Sequence, residues 1–246
     1  MSKFTEFARF SRSVLLFAGL FAAVPFANAA DYFEGFDDIT TLPGKGWSFQ
    51  NLSSPAGTSW FQGNEATFIA QAGPDDSYLA ASFLSGEGSA TISNWAITPT
   101  MTYSNGDTFT FYSRTISNPA TTPDRLEVRL SSQGGSSNVG ATATSVGDFT
   151  TLLMVINPAL TTTGYPAVWT QYVITLAGLT GETSGRIAFR YFVTDGGPSG
   201  VNSDYIGIDT LTITTTPVPE PSTLALGLLG GCVLVFAGRR GRRSLC

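Results

Sequence analysis

The chain has 246 residues and a mass of 26.0 kDa, a length that allows one domain or two small ones. Only 13% of the residues are charged, and the absence of histidine excludes Ser-His-Asp triads and histidine-based zinc sites. Between Ala30 and Thr216 there are six basic and sixteen acidic residues. This net charge of −10 argues against a nucleic-acid partner and suits divalent cations.

The first 29 residues have the pattern of a secretory signal peptide. Three basic residues precede an apolar run, 14–24, and the cleavage motif Ala27-Asn28-Ala29 follows it. We predict a signal helix that signal peptidase removes after Ala29, with cleavage after Ala30 as the second choice. The alternative is a permanent membrane anchor, which is disfavoured because the apolar run is too short to span a bilayer comfortably.

Several runs in the middle of the chain alternate between apolar and polar residues, which is the period of a half-buried β-strand. In Arg125–Leu130, for example, the even positions are apolar and the odd positions are charged. Clusters of glycine, serine, proline and asparagine separate the runs, and no long stretch keeps a helical period. We therefore predict one all-β domain over residues 30–216, folded as an antiparallel β-sandwich of two sheets. The alternating runs are Tyr78–Leu84, Thr108–Tyr112, Arg125–Leu130, Gln171–Leu176 and Arg186–Val193.

The predicted domain offers few groups for catalysis. Both cysteines, Cys232 and Cys246, lie outside it, so it has neither a thiol nucleophile nor a disulfide. Asp124 and Glu127 are three residues apart and would point to opposite faces of a strand, so they cannot share one glycosidic bond. We therefore predict that the protein is not an enzyme. We interpret the polar segment Ser131–Gly140 as a plain flexible loop.

Aromatic side chains are the candidates for sugar binding. Tryptophan and tyrosine rings present an apolar plane that suits a pyranose, and we select Trp60 and Trp169 as the candidates for such stacking. The alternative, which we favour, is that these rings pack in the core, where aromatic residues are usually found.

The C-terminus has the order of a sorting signal. The triplet Pro219-Glu220-Pro221 precedes an uncharged segment, Ser222–Gly238, that is marginally long enough to cross a bilayer as a transmembrane helix. Four arginines follow, and they stop transfer and keep this end in the cytoplasm. They are Arg239, Arg240, Arg242 and Arg243.

Over Val218–Arg243 the chain resembles the PEP-CTERM sorting signal of Gram-negative bacteria, and we assign residues 217–246 to this tail. The resemblance implies processing by an exosortase, a membrane transpeptidase thought to cut near the triplet, and a link to exopolysaccharide or biofilm production. The protein would then be exported, held transiently in the inner membrane, and passed to the cell surface or the extracellular matrix. The alternative is a tail anchor that is never cut.

Motifs spread along residues 30–216 carry a second resemblance. The opening motif Tyr32–Asp37 and the closing motif Asp204–Leu211 are the most telling, and Asp76–Ala80 and Gly164–Tyr172 lie between them. Over Asp31–Thr214 the chain resembles the choice-of-anchor J family, which is related to MAM and cleaved-adhesin domains. The resemblance implies a jelly-roll sandwich whose first and last strands lie side by side.

A carboxylate in the last predicted strand needs a partner. Asp209 lies in Tyr205–Ile213, a run that is apolar on both faces, and by alternation it shares its face with Leu211 and Ile213. A bare carboxylate buried there would be strongly unfavourable or would become protonated. Asp209 therefore needs a partner, and an arginine could serve, but arginines are few in the predicted domain.

We predict that this partner is one structural Ca²⁺, since calcium prefers carboxylate and carbonyl oxygens. If the first and last strands pair as the family resemblance implies, Glu34 approaches Asp209 from the neighbouring strand. Asp37 and Asp76 are weaker additional ligands. The alternatives are an arginine partner for Asp209 or a solvated carboxylate.

Three functions remain open at this point. We favour a structural or adhesive protein of the cell surface or matrix. A carbohydrate-binding module for the extracellular polysaccharide made alongside is the first alternative, and an exposed row of aromatic rings on a concave sheet would favour it. A glycan hydrolase is the weakest alternative, and facing carboxylates in a cleft would favour it.

Overall fold

Two antiparallel sheets make up the part of the chain that the computed structural model describes, residues 32–116 and 121–216. The predicted signal helix and the predicted transmembrane helix lie outside the described residues. Two 3₁₀ segments, Ile39–Lys45 and Phe83–Ser85, lie between strands. In the described ranges, no helix is long and apolar enough to cross a membrane.

In chain order the strands are β1 (Tyr32–Glu34), β2 (Ser48–Asn51), β3 (Ser54–Ala56), β4 (Phe61–Gln62), β5 (Leu79–Ser82), β6 (Gly86–Ile97), β7 (Met101–Tyr103), β8 (Thr108–Thr115), β9 (Leu126–Ser131), β10 (Thr151–Ile156), β11 (Thr170–Thr175), β12 (Thr183–Gly196) and β13 (Tyr205–Thr214).

The first sheet has the strand order β11-β8-β13-β5-β4, and β1 also pairs with β13. The second sheet has the order β10-β9-β12-β6-β2, with β3 paired to β6 and β7 paired to β12. The described pairings are antiparallel, which confirms the predicted two-sheet antiparallel sandwich. The predicted alternating runs overlap β5, β8, β9, β11 and β12. The first described strand lies beside the last, as the family resemblance implies.

The main core lies between the two sheets and is built from alternating apolar positions. Phe109 and Phe111 of β8 face Phe189 of β12, with ring centroids 5.5 and 5.0 Å apart. All three rings are fully buried, and burial of each such side chain stabilises the fold by about 1.5–3 kcal/mol. On its other face β8 leaves Thr110 and Tyr112 half-buried, as its alternation predicts.

The outer face of the second sheet is also covered, which corrects the expectation that β9 is half-buried. Glu127 and Arg190 are 7% and 1% exposed, although both carry charge. Glu127 Oε2 accepts hydrogen bonds from Arg190 Nη1 at 3.0 Å and from Arg129 Nε at 2.7 Å. Arg190 Nη2 donates to the carbonyl of Ala143 in the segment that covers this face. The charged positions of β9 therefore form an ion-pair network beneath a loop.

The covering segment, residues 132–150, packs on the second sheet. Val139 and Phe149 are fully buried and form a second apolar cluster with Trp95. The interpretation of Ser131–Gly140 as a plain flexible loop is therefore wrong. The stretch Ser131–Gly140 is polar in composition, but its one apolar residue, Val139, packs against the sheet.

A β-bulge in β13 changes which residues share a face. The register with β8 shifts between Asp209 and Thr212, and Thr210 between them has a positive φ of 50°. The extra residue reverses the alternation, so that Leu211 and Ile213 point into the main core while Asp209 points to the outer face. The prediction that Asp209 shares a face with Leu211 and Ile213 is wrong for this reason.

Candidate functional site

The outer face of the first sheet, which points away from the main core, carries several of the predicted site residues. Since alternate residues of β8 point into the core, Tyr112 and Arg114 point outward. The register pairs Tyr112 with Asp209 and Arg114 with Gly207 of β13, so that these side chains share one face. Residues 64–78 fold over one half of this face, and the other half is open.

An aromatic cluster fills the covered half. The Phe68 ring stacks on Tyr78, with centroids 4.8 Å apart. It meets the rings of Trp169 and Tyr205 edge-on, at 5.5 and 5.3 Å. The hydroxyls of Tyr78 and Tyr205 are hydrogen-bonded at 3.1 Å, and burial raises the pKa of both phenols. A side chain at Gly207 would come within 2.7 Å of the Trp169 ring, so only glycine fits beneath the cluster.

The guanidinium of Arg114 lies on this cluster. Its central carbon is 4.4 Å from the ring centroid of Phe68 and 6.0 Å from that of Trp169, which are cation–π distances. Its Nη2 donates to the carbonyl of Ala167 at 2.6 Å. Burial lowers the pKa of Arg114, but an arginine side chain stays protonated in proteins. Arg114 therefore places a positive charge against the aromatic cluster.

The carboxylate of Asp209 is fully buried beneath residues 64–78, and its partners are backbone N–H groups and the hydroxyl of Thr210. Oδ2 accepts hydrogen bonds from the backbone nitrogens of Gln71 at 2.7 Å and Ala72 at 3.1 Å. Oδ1 accepts from the backbone nitrogen of Thr210 at 2.5 Å. Burial raises the pKa of Asp209 to about 6, against the opposing effect of these hydrogen bonds. The carboxylate thus fixes the covering loop to β13.

Glu34, the main predicted partner of Asp209, lies on the other side of the sheet. The register pairs Glu34 with Leu211, and directly paired side chains share a face. Because Leu211 points into the core, Glu34 and Asp209 lie on opposite faces. Glu34 Oε2 instead forms a salt bridge with Lys45 Nζ at 2.9 Å. The structure therefore does not bring Glu34 and Asp209 together.

Asp37 and Asp76, the weaker predicted ligands, are exposed. Asp37 Oδ1 accepts a hydrogen bond from Ser77 Oγ at 2.7 Å, and the backbone carbonyl of Asp76 accepts one from Gln62 Nε2 at 2.7 Å. Within residues 32–116 and 121–216, no group of three or more His, Cys, Asp or Glu side chains is placed to hold a metal ion. Both carboxylate oxygens of Asp209 accept hydrogen bonds from backbone N–H groups, whereas a calcium ion needs oxygen atoms that point towards it. This arrangement therefore does not fit a calcium site. The structural Ca²⁺ stays a prediction.

The two tryptophans considered for sugar stacking differ in exposure. Trp60 is 6% exposed and packs in the main core, which is the alternative favoured from the sequence. Trp169 is half-buried, and its Nε1 donates to the carbonyl of Ile69 at 2.9 Å. Trp60 therefore has no open face for a sugar, and Trp169 is held within the aromatic cluster.

The open half carries a row of side chains that the sequence analysis did not single out. The register aligns Phe33 with Thr212, and Thr212 with Thr110. Thr110 in turn aligns with Val173 of β11. We call these four residues the open row; its ends, Phe33 and Val173, are 64% and 53% exposed. The alternation of β8 places Thr110 and Tyr112 on the surface, but local sequence does not show which strands flank β8.

A second buried carboxylate, Asp124, lies just before β9 between the two sheets. It accepts hydrogen bonds from the hydroxyls of Tyr191 and Thr115 and from the backbone nitrogen of Asp204. Burial raises the pKa of Asp124 to about 6, in opposition to these hydrogen bonds. Asp124 is 1% exposed, so its carboxylate is enclosed by its partners and does not line an open cleft.

Comparison with known proteins assigns the C-terminal tail. Residues 217–243 match the family model of the PEP-CTERM protein-sorting motif. This confirms the sorting signal read from the triplet, the apolar segment and the arginines, and it implies export and processing by an exosortase. No curated protein matches the chain in sequence.

Comparison with solved structures concerns the sandwich. The K1 cleaved adhesin domain of Lys-gingipain from Porphyromonas gingivalis W83 superposes with a TM-score of 0.51 at 20% identity, covering 76% of this chain and 99% of that domain. The K2 cleaved adhesin domain of Lys-gingipain gives a TM-score of 0.50 at 18% identity, covering 76% and 99%. At such identities the likeness shows the fold alone. The chain therefore joins a β-sandwich folded like the cleaved adhesin domains of Lys-gingipain to a C-terminal PEP-CTERM sorting motif.

Proposed function

We propose that the protein is a non-enzymatic, structural or adhesive component of the bacterial cell surface or extracellular matrix. Its body would be a jelly-roll sandwich of the choice-of-anchor J type, delivered by signal peptidase and an exosortase. The observation that carries the proposal is the sorting motif at residues 217–243 of a chain whose described residues form one β-sandwich. Such a tail serves to place a folded body outside the cell.

The buried charges of the sandwich support a structural role. Asp209 fixes the loop 64–78 to β13, and Glu127 fixes the segment 132–150 to the second sheet through Arg190. These groups are paired with neighbouring strands and loops and are not available to a substrate. Charges that hold loops in place on both outer faces suit a body that must persist outside the cell without disulfides.

Localisation tests the proposal. The chain is expressed in its own bacterium, in a strain that lacks the exosortase, and as a variant with Glu220→Ala. We expect the protein in the matrix fraction of the first strain and in the membrane fraction of the other two. Loss of the gene should reduce the cohesion of the biofilm under shear. Equal distribution of the protein in all three strains, or unchanged cohesion, would contradict the proposal.

Polysaccharide binding is the second candidate, and the open row favours it. Phe33 presents an exposed ring beside a flat row of threonines, and a ring of this kind can pack on a pyranose. We expect Phe33→Ala to abolish retardation of the protein in a gel that contains the exopolysaccharide of the same bacterium. The melting temperature should not change, since Phe33 is exposed. Val201→Ala, equally exposed in the loop before β13, is the matched control and should bind as wild type does.

A further inference from the structure

Strand β11 forms an edge of the first sheet that has only one neighbour in the described part of the chain, β8. The pairing with β8 is regular over all six residues, from Thr170 to Thr175. The backbone of Leu176, which follows, donates to Asp107 and accepts from Gly106, so its polar groups point towards β8. Because orientation alternates along a strand, Gln171, Val173 and Thr175 point their N–H and C=O groups to the outside. These groups have no hydrogen-bond partner among the described residues.

This edge lacks the features by which sheet edges are normally protected. A protected edge carries charged side chains, a proline, a bulge or a covering loop. The six residues of β11 include neither a charge nor a proline, and their register has no shift. By contrast, β10, at the end of the second sheet, has a register shift between Leu152 and Met154. In the whole stretch between Asp148 and Glu182 there is no charged residue.

We propose that two copies of the chain associate by antiparallel pairing of β11 with β11, about a two-fold axis at Val173. In this register Gln171 pairs with Thr175 and Val173 pairs with Val173. All three outward-pointing residues then exchange both of their backbone hydrogen bonds with the second copy. Tyr172 pairs with Ile174 on the inner face, an aromatic–β-branched pair that stabilises sheets. The sequence of the strand is therefore complementary to itself.

The charge of the domain is compatible with a second copy at this edge. Residues 30–216 carry a net charge of −10, so that two copies repel each other over most of their surface. The β11 edge is uncharged, so its pairing brings no like charges of the strand together. The two-fold pairing closes on itself because it uses up the same edge in both copies, so it produces a dimer and not a fibre.

Pairing of this kind joins the first sheet of one copy to the first sheet of the other, so that the two form one continuous sheet. The open rows of both copies become continuous through Val173, and the outer faces point the same way because the two-fold axis is perpendicular to the sheet. The inference does not depend on what the surface binds. It predicts a dimer whether the protein is adhesive or binds polysaccharide.

Disulfide trapping tests the proposal on the full chain, since residues 30–216 contain no cysteine. All variants carry Cys232→Ser and Cys246→Ser and are kept in mild detergent. In a hydrogen-bonded antiparallel pair the two Cα atoms lie about 5.5 Å apart, which is within the range that a disulfide spans. We expect Val173→Cys to run mostly as a covalent dimer after mild oxidation. The control Val201→Cys, at a position 62% exposed in the loop before β13, should stay monomeric.

Sedimentation velocity supplies a second measurement that needs no cross-link. Wild type should sediment as a dimer, and Val173→Lys, which places two like charges opposite each other, should sediment as a monomer with an unchanged circular dichroism spectrum. Its melting temperature should not exceed that of wild type, because dimerisation stabilises the folded chain by mass action. Val201→Lys should remain dimeric. The proposal is overturned by equal cross-linking of Val173→Cys and Val201→Cys, by a monomeric wild type, or by a Val173→Lys variant that stays dimeric.

Discussion

The phenol of Tyr191 on β12 donates its hydrogen bond to the carboxylate of Asp124, and both side chains are buried between the sheets. The same carboxylate oxygen accepts from the backbone nitrogen of Asp204 at 2.8 Å, while the other accepts from Thr115 Oγ1 at 2.6 Å. The contact therefore ties together β8, β12 and the segments before β9 and β13. It also holds an acid where its ionised form is poorly solvated, which has a consequence for stability.

The stability of the fold should fall as the pH rises from about 4 to about 7. Burial raises the pKa of both Asp124 and Asp209 from 3.8 to about 6. Between these values the folded protein keeps protons that the unfolded chain releases, so that rising pH favours unfolding until both groups are ionised in the folded state. Each group contributes a decrease of about 3 kcal/mol in the free energy of unfolding. About 2 kcal/mol of this decrease per group falls between pH 4.5 and pH 7.5, and urea denaturation at these two pH values measures it.

The substitution Asp124→Asn removes one of these two titrating carboxylates, so that its contribution to the pH dependence can be measured. The new amide nitrogen can donate to Thr115 Oγ1, whose own hydrogen then goes to the carbonyl of Tyr205, 2.9 Å away. The amide oxygen still accepts from Tyr191 and Asp204, so the variant should fold. We expect its loss of stability between pH 4.5 and pH 7.5 to be smaller than that of wild type by about 2 kcal/mol. The exposed control Glu65→Gln should retain the wild-type dependence, and an unchanged slope in Asp124→Asn would contradict the assignment.

The melting temperature in calcium, compared with that in EDTA, distinguishes an Asp209 held by hydrogen bonds from an Asp209 that binds an ion. The structure shows its carboxylate bonded to the backbone nitrogens of Gln71 and Ala72, so we expect the same melting temperature in both solutions. A bound ion would instead stabilise the folded state by mass action. A higher melting temperature in calcium, absent from Asp209→Asn, would support the ion predicted from the sequence and would contradict this arrangement.

The alternation of the sequence was sufficient to predict most of the fold but not the candidate site. In β8 and β12 the apolar positions, such as Phe111 and Phe189, point into the core as predicted. The position of Asp209 could not be predicted, because the bulge at Thr210 depends on pairing with distant strands. The burial of Glu127 could not be predicted either, since alternation does not reveal that a loop far along the chain covers the charged face.

The sorting tail can be tested by intact mass. With an active exosortase, the protein recovered from the cell surface should end near Pro219 to Pro221 and lack Arg239 to Cys246. Glu220→Ala should slow the cut and leave the melting temperature unchanged, because the triplet lies outside the described sandwich. Recovery of surface protein that still carries Arg239 to Cys246 would show a simple tail anchor instead.

The ion-pair network beneath residues 132–150 should be the most sensitive charged position of the fold. Glu127→Ala would leave Arg190, 1% exposed, without its carboxylate partner, and an uncompensated buried charge of this kind costs about 3–5 kcal/mol. We expect the free energy of unfolding to decrease by this amount at pH 7. The comparison variant is Lys45→Ala, which also leaves a buried carboxylate, that of Glu34. Its lysine is half exposed and Glu34 Oε1 still accepts a hydrogen bond from the backbone nitrogen of Phe36, so the loss should be smaller than that of Glu127→Ala.

Glu127→Gln separates charge from hydrogen bonding at the same position. An amide oxygen can still accept from Arg190 Nη1, but it no longer neutralises the guanidinium, so the loss should lie between those of Lys45→Ala and Glu127→Ala. Urea denaturation followed by tryptophan fluorescence gives all three values, and Trp95 is a suitable probe because it lies beneath the same segment. Equal, small losses for Glu127→Ala and Lys45→Ala would show that residues 132–150 open readily and let water reach Arg190. The covering segment would then not be the stable part of the sandwich that its buried contacts indicate.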